Sequence, residues 1–267
     1  MTTPPSYEYY GMLAEFWDLF RGDTSTWDDR FFYLDVVKKY GQPVLDVGCG
    51  TGRILLDFMQ QGIHIDGIDN SPDMLVLLRQ KAEKLNLTPT VYQQEMHTLS
   101  LPRKYQTILV PSSSFQLLLD PALPPLAMNC FFEHSLPGGV LAMPFMTLWK
   151  QGDPLESESS RETIRPEDGA TIRRWSYTRF DPDTDFEHSI DRYKIIRDGK
   201  IIASEEHNQS PAVRSYTQQR AIALYQEAGF EDIQIFHEFT FEPVQPEDMT
   251  FCVLGFKPKE EGGDHEF

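Results

Sequence analysis

The sequence predicts an α/β protein: a doubly wound, mainly parallel sheet with helices on both faces, an antiparallel β insertion and an N-terminal helical cap. Three observations carry this expectation. Short apolar runs alternate with amphipathic stretches from about Pro43 to Phe145, the pattern of strands joined by crossover helices. Several of these runs are apolar almost throughout, as strands covered on both faces must be. Beyond residue 150 the rhythm changes to strand-like segments separated by turn residues, which is the antiparallel signature.

Along the chain, Tyr10, Leu13, Phe16, Trp17 and Phe20 fall at helical spacing, and Phe32, Val36 and Val37 predict a second short helix. Residues 1–40 are therefore expected to cap the sheet without joining it. Strand candidates follow in "PVLDVG", "IHIDGID", "PTVYQQE", "YQTILVP" and "GGVLAMPF". Between the second and third, Ser71 supplies an N-cap and Pro72 the first helical position, after which Met74, Leu75, Leu78 and Ala82 recur on one face. "TIRRWSYTRF", "DFEHSIDRYKIIR" and "KIIASEEHNQS" read as strands, joined by hairpin chemistry at "DPDT" and at Asp198-Gly199. Residues 151–214 should thus form an antiparallel cover over one end of the sheet. A helix from Thr217 to Ala228 stops at Gly229, and "DIQIFHEFTFE" and "TFCVLGFKP" supply a final strand pair. The main domain is then residues 41–150 and 215–258, with a disordered tail at 259–267.

Composition narrows the function. A chain of 267 residues that is 40% hydrophobic can bury a sizeable core. No window approaches the roughly 18 apolar residues of a membrane helix, and "MTTPPSYEYY" lacks the regions of a secretion signal. A soluble, cytoplasmic chain with no membrane partner is the expectation. Cys49, Cys130 and Cys252 lie far apart with no CxxC pair, which points away from a disulfide framework or a metal site. The net charge of −17 repels phosphate backbones, so a small-molecule partner is expected and a nucleic acid is not.

The chemistry concentrates in "VLDVGCGTGR", Val44 to Arg53. A strand, a glycine turn and a helix place free backbone N–H groups beside a ligand above the strand ends. The glycines are Gly48, Gly50 and Gly52, so the third comes one place earlier than in the dinucleotide fingerprint G-x-G-x-x-G. Asp46, just before the turn, would repel a pyrophosphate and attract an ammonium. Arg53 could pair with Asp46 or with a ligand carboxylate. Asp69 lies about 20 residues beyond Gly48, where an acidic residue meets ribose hydroxyls, and Glu95 ends the third strand.

In their order, "VLDVGCGTGR", "GIDNSPDML", "QQEM", "YQTILVPSSSFQLLLD" and "LPGGVLAM" resemble the class I S-adenosylmethionine-dependent methyltransferases. The resemblance covers about Gln42 to Met146, with weaker support from "YQEAGF". It implies a Rossmann-like seven-stranded sheet, S-adenosyl-L-methionine as cofactor, S-adenosyl-L-homocysteine as product, and methyl transfer to a nitrogen or oxygen of a small acceptor. It further implies that Gly48, Cys49 and Gly50 line the methionine end of the cofactor and that Asp69 holds the ribose. Asn70 and Met74 would flank the adenine, with Glu95 and Met96 closing its pocket. "VPSSSF", including Pro111, Ser112 and Ser114, would face the transferred methyl.

The aromatic N-terminal segment and the insertion look like those of small-molecule members, including amino-sugar N-methyltransferases. Some of those carry a histidine after the fourth strand where this chain has Gln116, which leaves the base and a sugar acceptor open. Tyr10, Trp17, Ser114 and Gln116 are the candidate acceptor contacts; Tyr10, Gln116, His188 and His207 are the candidate catalytic groups. Two alternatives remain at this stage: a nicotinamide-dependent oxidoreductase, and a cofactor-binding partner protein without turnover.

Overall fold

A computed structural model describes residues 7–259. Strands β1 (Val44–Val47), β2 (Ile65–Asp69), β3 (Thr90–Gln93), β4 (Tyr105–Leu109) and β5 (Ser135–Met146) pair in parallel. Strands β6 (Glu156–Ile164), β7 (Thr171–Asp181), β8 (Phe186–Arg197) and β9 (Lys200–Arg214) form a separate antiparallel sheet. The chain then returns through β10 (Glu231–His237) and β11 (Thr250–Phe256), giving a seven-stranded sheet in the order β10-β11-β5-β4-β1-β2-β3. Only β11 and β10 join it antiparallel. The fold is thus α/β, with a Rossmann-like, mostly parallel sheet. Strand order reverses between β1 and β4, which opens a crevice at their carboxyl ends, the usual ligand position in such sheets.

Helices cover both faces. Helices α1 (Gly11–Glu15), α2 (Trp17–Arg21), α3 (Asp28–Tyr40) and α4 (Arg53–Gln60) precede α5 (Pro72–Lys84), α6 (Leu123–His134) and α7 (Gln218–Glu227). The Ser71 Oγ accepts the Met74 N–H at 3.1 Å, so α5 starts on the expected cap. The Thr217 hydroxyl likewise caps α7 through Arg220, and Gly229 follows that helix at φ 91°.

Three expectations need correction. The N-terminal cap is not one body: Phe32, Tyr33, Val36 and Val37 of α3 pack with Val44, Leu109, Val140 and Cys252, making α3 a layer of the sheet. Leu13 and Phe16, by contrast, pack with Ala170, Ile172, Tyr193 and Ile195 of the antiparallel sheet. The helix read through Tyr10 to Phe20 breaks at Phe16, which separates α1 from α2. Finally, β6 was not foreseen, because "ESESSRETI" has no apolar alternation; it is an exposed edge strand whose pairing with β7 supplies its backbone hydrogen bonds.

Of the tail expected to be disordered, residues 260–267 lie outside the described residues. Among the described residues, no helix is long and apolar enough to cross a membrane.

Candidate active site

The glycine turn is built for close approach. Gly50 has φ 52°, and a side chain there would meet nothing closer than the Gly48 carbonyl at 4.0 Å, so its backbone faces open space. Gly52 does the opposite: at φ 84°, an added Cβ would sit 2.9 Å from Leu56 and 3.0 Å from Leu78. The early third glycine therefore supplies the tight helix packing that the dinucleotide fingerprint assigns to a later position. Beside the turn lies a cavity of about 240 Å³ that runs from β1 and β2 to the segment after β4.

Four carboxylates bear on this cavity. Asp46 is 1% exposed and its Oδ1 has no hydrogen-bond partner. Burial pushes its carboxyl up to about 7, against the pull of Arg53. Asp69 accepts the Gly50 N–H at 2.8 Å through Oδ2 and the Ser71 N–H at 2.9 Å through Oδ1. Burial raises Asp69 despite those two amides. Glu95 accepts from the Asn70 amide at 3.3 Å. Glu8 is raised by burial, with the nearby Glu95 and Asp69 adding to the shift. A buried carboxylate such as Asp46, with one oxygen free of any hydrogen bond, is costly unless a cation completes it.

The basic side of the cavity is Arg53 and Arg21. Arg53 forms a bidentate pair with Asp29, one arm of it Nη1 to Oδ1 at 2.9 Å, in place of the Asp46 pair that the sequence offered. Arg21 stacks over the Trp17 ring at 4.2 Å and over Trp27 at 5.4 Å. Burial, then the neighbouring Arg53 charge, lowers its pKa. Tyr9 packs edge-on against Trp17 at 4.8 Å, and burial pushes its phenol up to about 12. Burial also pushes the Cys49 thiol well up, which makes Cys49 a small packing residue and not a nucleophile.

The structure gathers Asp46, Gly48, Cys49, Gly50, Arg53, Asp69, Asn70, Met74, Glu95, Met96, Pro111 and Ser112 around this one cavity, together with Trp17 and Ser114. Four candidates lie elsewhere. Tyr10 packs against His207 at 4.5 Å, because the extended backbone at Tyr10 sends successive side chains to opposite sides and leaves Tyr9 at the cavity. Gln116 is fully buried; its amide donates to the Met146 and Arg214 carbonyls at 3.1 and 2.5 Å and accepts the Met146 N–H at 2.8 Å. It braces the end of β5 against β9, with both amide hydrogens used and the side chain buried away from the cavity. His188 hydrogen-bonds Ser210 Oγ at 2.7 Å on the antiparallel sheet, and His207 is buried against Glu205 at 2.6 Å. Neither lines the cavity.

Sequence reasoning missed Glu8 and Arg21, and of the two neighbouring tyrosines it favoured Tyr10 over Tyr9. Arg21 had a usable signal, since it stands four residues after Trp17 on one helix. The choice between Tyr9 and Tyr10 had none, since extended backbone fixes only that the two face opposite ways.

A bound S-adenosylmethionine fits what is present: an exposed glycine backbone, a buried carboxylate with one free oxygen that could take its ammonium, and an acidic residue at the end of β2 that could take its ribose. Residues 44–139 match the methyltransferase domain family. A methyltransferase of Geobacillus sp. is 25% identical over 83% of this chain and 89% of its own. The dTDP-3-amino-3,4,6-trideoxy-alpha-D-glucopyranose N,N-dimethyltransferase of Streptomyces venezuelae is 26% identical over 70% of this chain and 71% of its own. Among solved structures, the sugar N-methyltransferase KedS8 from Streptoalloteichus sp. superposes with a TM-score of 0.73 at 21% identity, covering 97% of this chain and 99% of that one. The fold, the glycine loop and the domain match make this chain an S-adenosylmethionine-dependent methyltransferase that is similar to the class I enzymes. Its cofactor is S-adenosylmethionine, and the chain is similar to enzymes of the amino-sugar and natural-product type. The nicotinamide and partner-protein alternatives find no support.

Proposed function

We propose that this chain methylates an amine nitrogen of a small, polar acceptor of the amino-sugar class, in the cytoplasm. The observation that supports this reading best is the single cavity that joins the glycine turn to Ser112, Ser114 and Leu117, with Tyr9 and Trp17 as its N-terminal wall. The names of the relatives support an acceptor of that class.

In this reading Asp46 receives the cofactor ammonium, and Arg21, with Arg53 fixed by Asp29, faces its carboxylate. Asp69 accepts from the ribose hydroxyls through the lone pairs that its two backbone amides leave free. Asn70, Met74, Glu95 and Met96 enclose the adenine, and Gly48, Cys49 and Gly50 present backbone to the methionine portion. When bound, the cofactor supplies a sulfonium methyl as the electrophile. Pro111, Ser112 and Ser114 then hold the acceptor nitrogen in line with that methyl, and Trp17 with Tyr9 excludes water. The acceptor amine would take that methyl through its lone pair, the sulfur keeping the S–C electron pair, and the proton of the product ammonium would pass to solvent as the product departs. Alignment of this kind supplies the acceleration without a dedicated base, because a neutral amine is already nucleophilic.

The test is incubation of the purified chain with S-adenosylmethionine and a panel of amino sugars, free and nucleotide-linked, beside their hydroxyl counterparts. Mass spectrometry should show methyl gain on the amines alone. Methylation of the hydroxyl counterparts instead would overturn the nitrogen assignment.

A further inference from the structure

Glu205, on β9 of the antiparallel cover, lies outside the cofactor cavity, yet its carboxylate reaches the N-terminal segment that walls it. Oε1 accepts the Met12 N–H at 3.0 Å and also meets His207 Nε2 at 2.6 Å. His207 has a side-chain exposure of 1%, so the pair is anchored inside the cover. The contact is close because residue 11 is glycine: a methyl there would overlap the Glu205 carboxylate. On its other side the same segment is tied to the start of α5, where the Ser71 hydroxyl donates to the Tyr9 carbonyl at 2.5 Å and the Gly11 N–H donates to Asp73 Oδ2 at 3.0 Å. Residues 9–12 are thus a strap held between the cover and the helix that begins beside Asp69 and Asn70. Glu8, Tyr9, Trp17 and Arg21, on or flanking this strap, form one wall of the cavity.

We infer that Glu205 is a positioning residue that couples the antiparallel cover to retention of the cofactor, by holding the strap closed against the cavity. The inference rests on the reading that this cavity binds S-adenosylmethionine. Loss of the carboxylate removes the strap's hydrogen bond to the cover and leaves only the Tyr10–His207 ring contact and apolar packing on that side, while the Ser71 and Asp73 ties remain, so the cofactor site still forms but opens more often. Movement of the cover on acceptor binding or product departure would then act on the cofactor through one named contact.

The test uses the full-length protein and follows S-adenosylhomocysteine release by stopped-flow fluorescence, alongside steady-state kinetics. Glu205→Ala should speed release about tenfold, the range expected for a charge-assisted hydrogen bond, and raise KM for S-adenosylmethionine similarly with kcat within about twofold. Glu205→Gln keeps an oxygen for the Met12 N–H and should restore slow release. Gly11→Ala pushes on the same contact from the strap side; it should speed release by itself, and in combination with Glu205→Ala the two effects should be less than multiplicative. A release rate unchanged in Glu205→Ala, or Ala and Gln variants that behave alike, would overturn the coupling while leaving the proposed function standing. Parent protein that binds no S-adenosylhomocysteine would overturn both.

Discussion

Asp46→Asn separates a cost of folding from a requirement of binding. The Asp46 carboxyl is pushed up to about 7 by burial, whereas an unfolded aspartate titrates near 4. A difference of that size corresponds to about 4 kcal/mol. Because the folded value is the higher one, the unfolded chain releases its proton first as pH rises. Stability is therefore lost between about pH 4 and pH 7 and is level above that window. The penalty is about 1.5 kcal/mol at pH 5 and about 4 kcal/mol at pH 8. An asparagine carries no charge but needs hydrogen bonds of its own, an offset of about 1–3 kcal/mol. The variant should thus be near the parent in Tm at pH 5 and about 3–8 °C more stable at pH 8 without ligand, which differential scanning calorimetry can read. Its affinity for S-adenosylhomocysteine at pH 8 should fall about 10- to 150-fold through loss of the ammonium partner. A variant no more stable than the parent at pH 8, or one that binds as tightly, would refute the reasoning.

Three further outcomes follow from the geometry. Asp69→Ala should weaken S-adenosylhomocysteine binding by about 1.5–3 kcal/mol, measured by titration calorimetry, since a carboxylate fixed by Gly50 and Ser71 is lost from the ribose site. Gln116→Ala should lower the unfolding free energy in urea by about 2–4 kcal/mol by opening a cavity and removing the Gln116 partner of the Met146 N–H and of the Arg214 carbonyl, while the Met146 carbonyl keeps the Tyr216 N–H, whereas activity per folded molecule should stay within a few-fold. Gly67→Ala, on β2, would overlap the Leu55 side chain and come 2.9 Å from Cys49 Sγ. It should cost about 1–3 kcal/mol in the same assay and weaken cofactor binding by displacing the loop.

The parallel strands and the cofactor loop were legible in the sequence because each is dictated locally. Buried strands need continuous apolar runs, and Gly50 and Gly52 occupy backbone conformations that other residues adopt only with strain. The residues at the ends of β2, β3 and β4 could be placed because a parallel sheet brings those ends to one edge. What escaped depends on contacts made far along the chain. β6 is polar and is a strand only because β7 lies beside it. Arg53 of α4 finds Asp29 of α3, Gln116 finds Arg214 of the cover, and extended backbone at Tyr10 puts Tyr9 and not Tyr10 at the cavity. The choice of base was the least legible feature: the histidines of the insertion carry no local mark that they pack within their own sheet.

The central claim is that the cavity beside Asp46 and the glycine turn is an S-adenosylmethionine site. Calorimetric titration of the purified chain with S-adenosylhomocysteine, using NADH as control, tests it most directly. Micromolar or tighter binding of S-adenosylhomocysteine, with none of NADH, is the predicted result. Binding of NADH alone, or of neither ligand, would contradict the account.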